Sequence, residues 1–251
     1  MDFELGGKVA LVTGSSRGIG RAIAETLHSE GCKVCINSRN RDDLFKVAKT
    51  MPGSVITQGD VSCPQEAQNI VKKVLASFGR IDILVCNVGS GSSIKPGEED
   101  HEEWKRVFAI NLWSTTNIVE AAGVALEESK GSIVCISSIC GLEVVAGAPV
   151  TYSVAKAALN AYVRGIARPL GRKGMRINAI ALGNILFEGS VWSRKLANDT
   201  NTVKLMIERD VALNQFGTPQ NAAELVAYLV SPRSSFATGG VWTLDGGQVH
   251  S

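Results

Sequence analysis

The stretch LVTGSSRGIGRAIAETL, residues 11–27, decides the fold, because it admits two chemistries that belong to different enzymes. Gly14-Ser15-Ser16-Arg17-Gly18 satisfies the G-x-S-x-G spacing of a hydrolase nucleophile elbow, with Ser16 as the attacking residue. Gly14, Gly18 and Gly20 are also spaced to wrap a nucleotide pyrophosphate at a helix N-terminus, where free N–H groups and the helix dipole favour an anion. In this second reading Gly14 makes the tight turn, Gly18 admits the ligand close to the backbone, and Gly20 lets the helix pack on the sheet. Ser16, Arg17 and Ile19 then lie along the phosphate loop.

The rest of the chain separates the two readings. A nucleophile elbow normally follows several strands, since an earlier loop supplies an oxyanion-hole N–H and the acid and base come later. Only one strand-like run, residues 8–13, precedes Ser16. Of the three histidines, His28 falls in the next helix, His101 precedes Trp104 and His250 is in the tail, so none follows a strand as a triad base should. The phosphate reading is the one that fits.

Outward from this turn, nearly continuous apolar runs recur at residues 33–37, 54–58, 81–87, 131–137 and 175–181, with a late one at 241–245. Such runs suit strands buried on both faces of a parallel sheet. Amphipathic stretches at 17–30, 41–50, 64–78, 101–128 and 151–172 alternate with them, and Pro64 fits a first helical turn. The pattern predicts one α/β domain over residues 1–251, a doubly wound, mostly parallel sheet of about seven strands with helices on both faces. Residues 184–216 are less regular and follow the carboxyl end of the sixth strand, where open α/β sheets bind ligands. They are read as a substrate lid with Phe187 and Trp192 as walls.

Bulk properties narrow the partners. Lys and Arg total 26 against 24 Asp and Glu, which gives no dominant phosphate-neutralising surface and points away from nucleic acid. The apolar window at 131–159 is broken by Glu143, Lys156 and Pro149, so it reads as core and not as a membrane span. The N-terminus MDFELGGK has no leader pattern, which predicts a cytoplasmic protein. Cys32 and Cys35 form a C-x-x-C without a second ligand pair, so they are read as apolar filling, and no metal is expected.

Two further tests concern chemistry. An Asp or Glu after the second strand would accept the ribose 2′-hydroxyl of NAD, but this chain has Asn37, Ser38 and Arg39 there. Arg39 with Arg17 would hold a 2′-phosphate, so NADP(H) is expected over NAD(H). Tyr152 and Lys156 lie four apart on one helix face. A tyrosine near its ordinary pKa of about 10 is a poor proton shuttle at neutral pH, and a neighbouring ammonium plus an oxidised nicotinamide's charge would lower it. Ser138 is placed to bond the same substrate oxygen, and Asn111 to hold a water linking Lys156 to solvent.

With these residues in this order, the chain resembles the classical short-chain dehydrogenase/reductase family over essentially its whole length. The matching elements are TGSSRGIG (13–20), Asp60-Val61, CNVG (86–89) with Asn87 and Gly89, Asn111, Ser138, Tyr152 with Lys156, and GGVWTLDGG (239–247). The resemblance implies a Rossmann fold, carbonyl–alcohol interconversion with a nicotinamide cofactor, adenine contacts at Asp60-Val61, and a homotetramer or homodimer. Overall likeness to the 3-oxoacyl-(acyl-carrier-protein) reductase branch makes a β-ketoacyl thioester the default substrate. The LGNILFEGSVW stretch keeps a sugar or polyol open, with Glu188 or Ser190 binding hydroxyls. A non-catalytic NADP-binding scaffold is the reading from another class.

Three departures from the family pattern stand out. Leu182-Gly183 replaces the usual Pro-Gly, and Phe187 replaces the threonine that grips the carboxamide, which shifts that task to backbone near Asn184 and Ile185. Cys86 and Val88 replace the usual asparagine and alanine. Pro169 falls inside the helix expected at 151–172, which it should kink or end.

Overall fold

The computed structural model describes residues 2–249, so His250 lies outside the described residues. Seven strands form one parallel sheet: β1 (Val9–Val12), β2 (Lys33–Ser38), β3 (Val55–Gln58), β4 (Ile83–Cys86), β5 (Ser132–Ser138), β6 (Arg176–Leu182) and β7 (Val241–Leu244). Their order across the sheet is β3-β2-β1-β4-β5-β6-β7. The order reverses between β1 and β4, and that switch point is where an open α/β sheet receives its ligand. β1, β4 and β5 are buried along their whole length, which is why their sequences run apolar without alternation.

Helices cover both faces. One layer contains α1 (Gly18–Ser29), α2 (Arg41–Ala48) and α9 (Pro219–Val230), and its core joins Ile23, Leu27 and Val226 to Val12, Ile36 and Ile180. The other contains α3 (Pro64–Phe78), α5 (Ser114–Ser129) and α6 (Val150–Gly171), with Ile70, Ile118 and Leu159 packed on Leu11, Leu84 and Ile133. At the amino edge of the sheet Asp82, 4% exposed, receives Arg80 through two hydrogen bonds of 3.0 and 2.6 Å and the Val9 N–H at 2.9 Å. This buried carboxylate staples β1 to β4 at the end away from the switch point.

Three regions differ from the sequence reading. The helix expected at 101–128 is divided into α4 (His101–Phe108) and α5 by a π turn at Ala109–Trp113. Asn111 is the buried residue at the centre of this turn, and π turns recur at functional sites. Residues 184–216 are more ordered than their pattern: they hold α7 (Val191–Asn198) and α8 (Thr200–Asp210). α9 was absent from the sequence reading, although Thr218-Pro219 opens it with a capping box to Asn221 and Ala222, Ala223, Val226, Ala227 and Val230 supply a helical stripe. Pro169 falls in the last turn of α6, which ends at Gly171. Leu182 belongs to β6, in register with Ser138 and Leu244.

Candidate active site

The glycine turn is built around atoms that leave no room for side chains. Gly14 and Gly18 have φ of +62° and +53°, in the left-handed region that glycine enters freely. A Cβ on Gly20 would strike the Asn87 amide and the Gly14 carbonyl. Asn87 braces the turn from β4: its Nδ2 donates to the Thr13 and Gly14 carbonyls at 3.1 and 3.0 Å, and its N–H donates to Thr13 Oγ1 at 3.0 Å. Ser15, which the sequence reading passed over, is the buried hydroxyl of the turn; it donates to the Val12 carbonyl and accepts from the Asn37 N–H, both at 2.9 Å. α1 starts after Arg17 without a side-chain cap, so the first N–H groups of the helix remain available to an anion.

Beside the turn, the ends of β2 and β3 carry Ser38, Arg39, Asp60 and Val61. The Ser38 hydroxyl donates to the Asn40 carbonyl at 2.9 Å, and the exposed Arg39 guanidinium stands 3.7 Å from the Asp60 carboxylate. Asp60 also accepts from the Ser62 N–H and hydroxyl, while Val61 is buried. Asn37 directs its amide nitrogen to the Thr57 and Gly59 carbonyls, and its Oδ1 is buried without a partner. These residues and Ser16 are not walls of the main cavity.

That cavity, about 670 Å³, opens at the carboxyl ends of β1, β4, β5 and β6 and is walled by Gly14, Arg17, Ile19 and Gly20 at one end. Gly89, Ser138, Tyr152 and Lys156 form its floor, and Gly183, Ile185, Phe187 and Trp192 close it from the lid side. The Ser138 hydroxyl bonds the Tyr152 phenol oxygen and accepts the Cys140 N–H at 3.2 Å. Lys156, 3% exposed, donates from Nζ to the Ile136 carbonyl at 2.9 Å, and the same Nζ is 5.9 Å from the Tyr152 ring centroid. Thus β5 supplies the serine and the anchor for the lysine, and one turn of α6 supplies the tyrosine and the lysine.

Burial dominates the acid–base balance of this group. It pushes the Tyr152 phenol up to about 12, with the Ser138 hydrogen bond pulling the other way. It also holds the Lys156 ammonium down to about 8, against the negative pull of Cys135 and Cys140. The lowering of Tyr152 expected from Lys156 is therefore not a property of the protein alone.

Asn111 joins this group through Gly89. Its Nδ2 donates to the Ser90 and Val107 carbonyls at 3.1 and 3.0 Å, and its Oδ1 accepts the Ser90 N–H at 2.9 Å. A Cβ on Gly89 would stand 3.1 Å from both Asn111 Oδ1 and Lys156 Nζ, so glycine lets the two polar groups converge. Asn160, one turn beyond Lys156 and buried, was missed: it accepts the Ser137 hydroxyl at 2.6 Å and donates to the Gly141 carbonyl at 3.1 Å. The same four-residue spacing that pairs Tyr152 with Lys156 would have found it.

The lid residues divide between the two ends. The Phe187 ring lies against Gly18, over the first turn of α1. Trp192 lies 5.6 Å from Phe216, ring centroid to ring centroid, and forms an apolar wall. The Ser190 hydroxyl caps α7 by accepting the Ser193 N–H at 3.0 Å, and Glu188 is not a wall. Among the described residues no cluster of three metal-ligating side chains occurs, and no helix is long and apolar enough to cross a membrane.

A serine, a tyrosine and a lysine converging beside a glycine turn at the switch point of a parallel sheet define a nucleotide-dependent oxidoreductase site. Comparison with known proteins agrees: the family model described as enoyl-(acyl carrier protein) reductase matches residues 14–249. Glucose 1-dehydrogenase 2 of Bacillus subtilis is 32% identical, covering 97% of this chain and 95% of its own. The 3-oxoacyl-(acyl-carrier-protein) reductase of Thermotoga maritima is also 32% identical, over 98% of this chain and 100% of its own. The L-sorbose reductase of Gluconobacter frateurii, solved with NADPH and L-sorbose, superposes with a TM-score of 0.94 at 28% identity, covering 100% of both chains. The chain belongs to the short-chain dehydrogenase/reductase family and is an oxidoreductase of that family.

Proposed function

We propose that this protein is an NADP(H)-dependent oxidoreductase that interconverts a carbonyl and a secondary alcohol, with a 3-oxoacyl thioester as substrate. The observation that carries the reading is the convergence of Ser138, Tyr152 and Lys156 on one cavity floor, since a binding-only scaffold has no need of that set. The cofactor fits the residues present: the glycine cradle and uncapped α1 suit a pyrophosphate, with Gly14, Ser16, Arg17, Gly18, Ile19 and Gly20 around it. Ser38 and Arg39 would hold the 2′-phosphate, Arg39 turning from Asp60, and Asp60 and Val61 would flank the adenine. Asn87, Gly89, Gly183 and Ile185 complete the wall on the nicotinamide side. When bound, the dinucleotide supplies or accepts the hydride.

The protein's own task is the proton. In reduction the Tyr152 hydroxyl donates to the substrate oxygen while the Ser138 hydroxyl hydrogen-bonds the same atom. In oxidation Tyr152 takes the proton back. Lys156 stabilises the phenolate electrostatically, and the positive charge of an oxidised nicotinamide adds to it, opposing the burial that raises Tyr152. Asn111 fixes the 89–90 backbone beside Lys156 and so positions the lysine's path to solvent. A thioester is preferred over a polyol because Glu188 stands outside the cavity and the Ser190 oxygen already accepts the Ser193 N–H that caps α7, which leaves this wall a single hydroxyl donor.

Exposed Trp113 and Val124 on one helical arm, 43% and 73% accessible, suit assembly as a homotetramer or homodimer. Six free cysteines suit the reducing cytoplasm. The test is spectrophotometric: NADPH absorbance should fall with an acetoacetyl thioester and fall more slowly with NADH. NADP reduction by a panel of sugars, with no reaction of the thioester, would move the assignment to a sugar dehydrogenase. Tight NADPH binding without hydride exchange on either panel would refute the proposed activity and favour the scaffold.

A further inference from the structure

The cavity is charged unevenly on its lid side. Among the described residues its only wall carboxylate is Asp210, and Arg209 binds it through two hydrogen bonds of 2.6 and 2.8 Å. The remaining wall cations are Arg17 at the glycine turn, Lys156 on the Ile136 carbonyl, and Arg194 with Lys195 on α7. The last two are exposed, successive, and unused by the cofactor or proton chemistry above. The Lys195 ammonium stands 4.5 Å from the centroid of the Trp192 ring, which Phe216 backs, so the apolar wall at Trp192 ends at a cation. The rim shares its cavity with the reaction centre: Cys140, two residues from Ser138, is a wall of the same space as Arg194 and Lys195.

We propose that Arg194 and Lys195 form a recognition site for an anionic group, a phosphate or a carboxylate, carried by the substrate at the end away from its reacting carbonyl. The linking part of the substrate lies along Trp192. This deepens the carbonyl–alcohol reading and rests on it. An arginine offers paired N–H donors to either anion and the adjacent ammonium adds a point charge, so the lid selects charged substrates over neutral ones of equal shape.

Two matched pairs of carbonyl substrates test the proposal: acetoacetyl-4′-phosphopantetheine against acetoacetyl-pantetheine, and 4-oxopentanoate against its methyl ester. Wild-type kcat/KM should favour the charged member of at least one pair by about tenfold or more, with the preference shrinking at high salt. In an Arg194→Gln/Lys195→Gln double variant that ratio should fall towards one. The pair that responds tells phosphate from carboxylate. Calorimetric titration of the NADP-saturated protein with coenzyme A against pantetheine, and glutarate against dimethyl glutarate, reads the same preference without turnover. Ratios near one throughout, or a ratio that the double variant leaves unchanged, would overturn the proposal. Anion preference in the titrations with no turnover of any carbonyl would instead refute the oxidoreductase reading and leave the anion site standing.

Discussion

The floor of the cavity and its lid are built differently. Ser138, Lys156 and Asn111 are each at most 6% exposed, and each is fixed by hydrogen bonds to rigid elements: β5, the end of β4 and the π turn. α7, by contrast, buries none of its residues, and α8 buries only Val203 and Ile207. A proton-transfer set must be held to fractions of an ångström, which packed strands and helices do best. A segment that selects among substrates works from the surface, where side chains change without disturbing the core. On the proposed reading, chemistry and selectivity occupy opposite walls of one cavity and should respond separately to substitution.

The largest effect is expected on the floor. Tyr152→Phe should lower kcat by about 10³-fold or more while NADPH affinity, read by fluorescence titration, changes by less than about threefold. Lys156→Met should follow at about 10²-fold, because the phenolate loses its nearest cation. At the far end of the sheet, Asp82→Ala removes the staple between β1 and β4. It should destabilise the fold by about 1–2 kcal/mol in urea unfolding, since the Val9 N–H loses its acceptor while Arg80 turns to solvent, with the activity of the folded fraction retained. On the lid, Trp192→Ala should raise KM several-fold and leave kcat within about threefold, since it removes an apolar wall and no reacting group. A kcat loss at Trp192 as large as that at Tyr152 would erase the division between floor and lid.

A pH experiment sharpens the same contrast. Lys156 has a pKa of about 8 in the fold against an ordinary 10.5, so from pH 8 upward the unfolded chain binds more protons and stability rises towards pH 10. Tyr152 works in the opposite sense, about 12 in the fold against an ordinary 10, and costs stability only above pH 10. The rise between pH 8 and 10 should be smaller in Lys156→Met when thermal unfolding of the two proteins is compared at each pH. An equal rise in both would place the Lys156 ammonium in a more solvated site than its burial implies.

The sheet and the floor were legible because each rests on a short-range rule. Continuous apolar runs mark strands buried on both faces, three glycines mark a turn with no room for Cβ atoms, and four-residue spacing puts Tyr152 beside Lys156. What escaped depends on tertiary context. The π turn at Asn111 sits in a string that reads as plain helix, and the bonds from Asn111 to Ser90 reach across more than twenty residues. The lid helices are short and bury little, so few apolar residues mark them. α9 was readable from Thr218-Pro219 and its alanine-rich stripe, which resembles a strand-flanking apolar run until the cap is noticed. Phe187 carried no local signal for the turn it covers, because its contact with Gly18 joins residues far apart in sequence through the fold.

In the proposed mechanism Tyr152 moves the proton, and bound positive charge brings its phenol down from the value burial alone imposes. The most direct measurement is the pH profile of kcat for alcohol oxidation with NADP, using whichever substrate of the panel turns over, in wild type and in Tyr152→Phe. The account predicts a rate that rises with pH through an apparent pKa below the ordinary tyrosine value of about 10, a value that belongs to the tyrosine and lysine as a coupled pair. It also predicts that this limb is absent from the residual rate of the phenylalanine variant. An apparent pKa at or above about 10, or a variant that keeps both the rate and the limb, would contradict it.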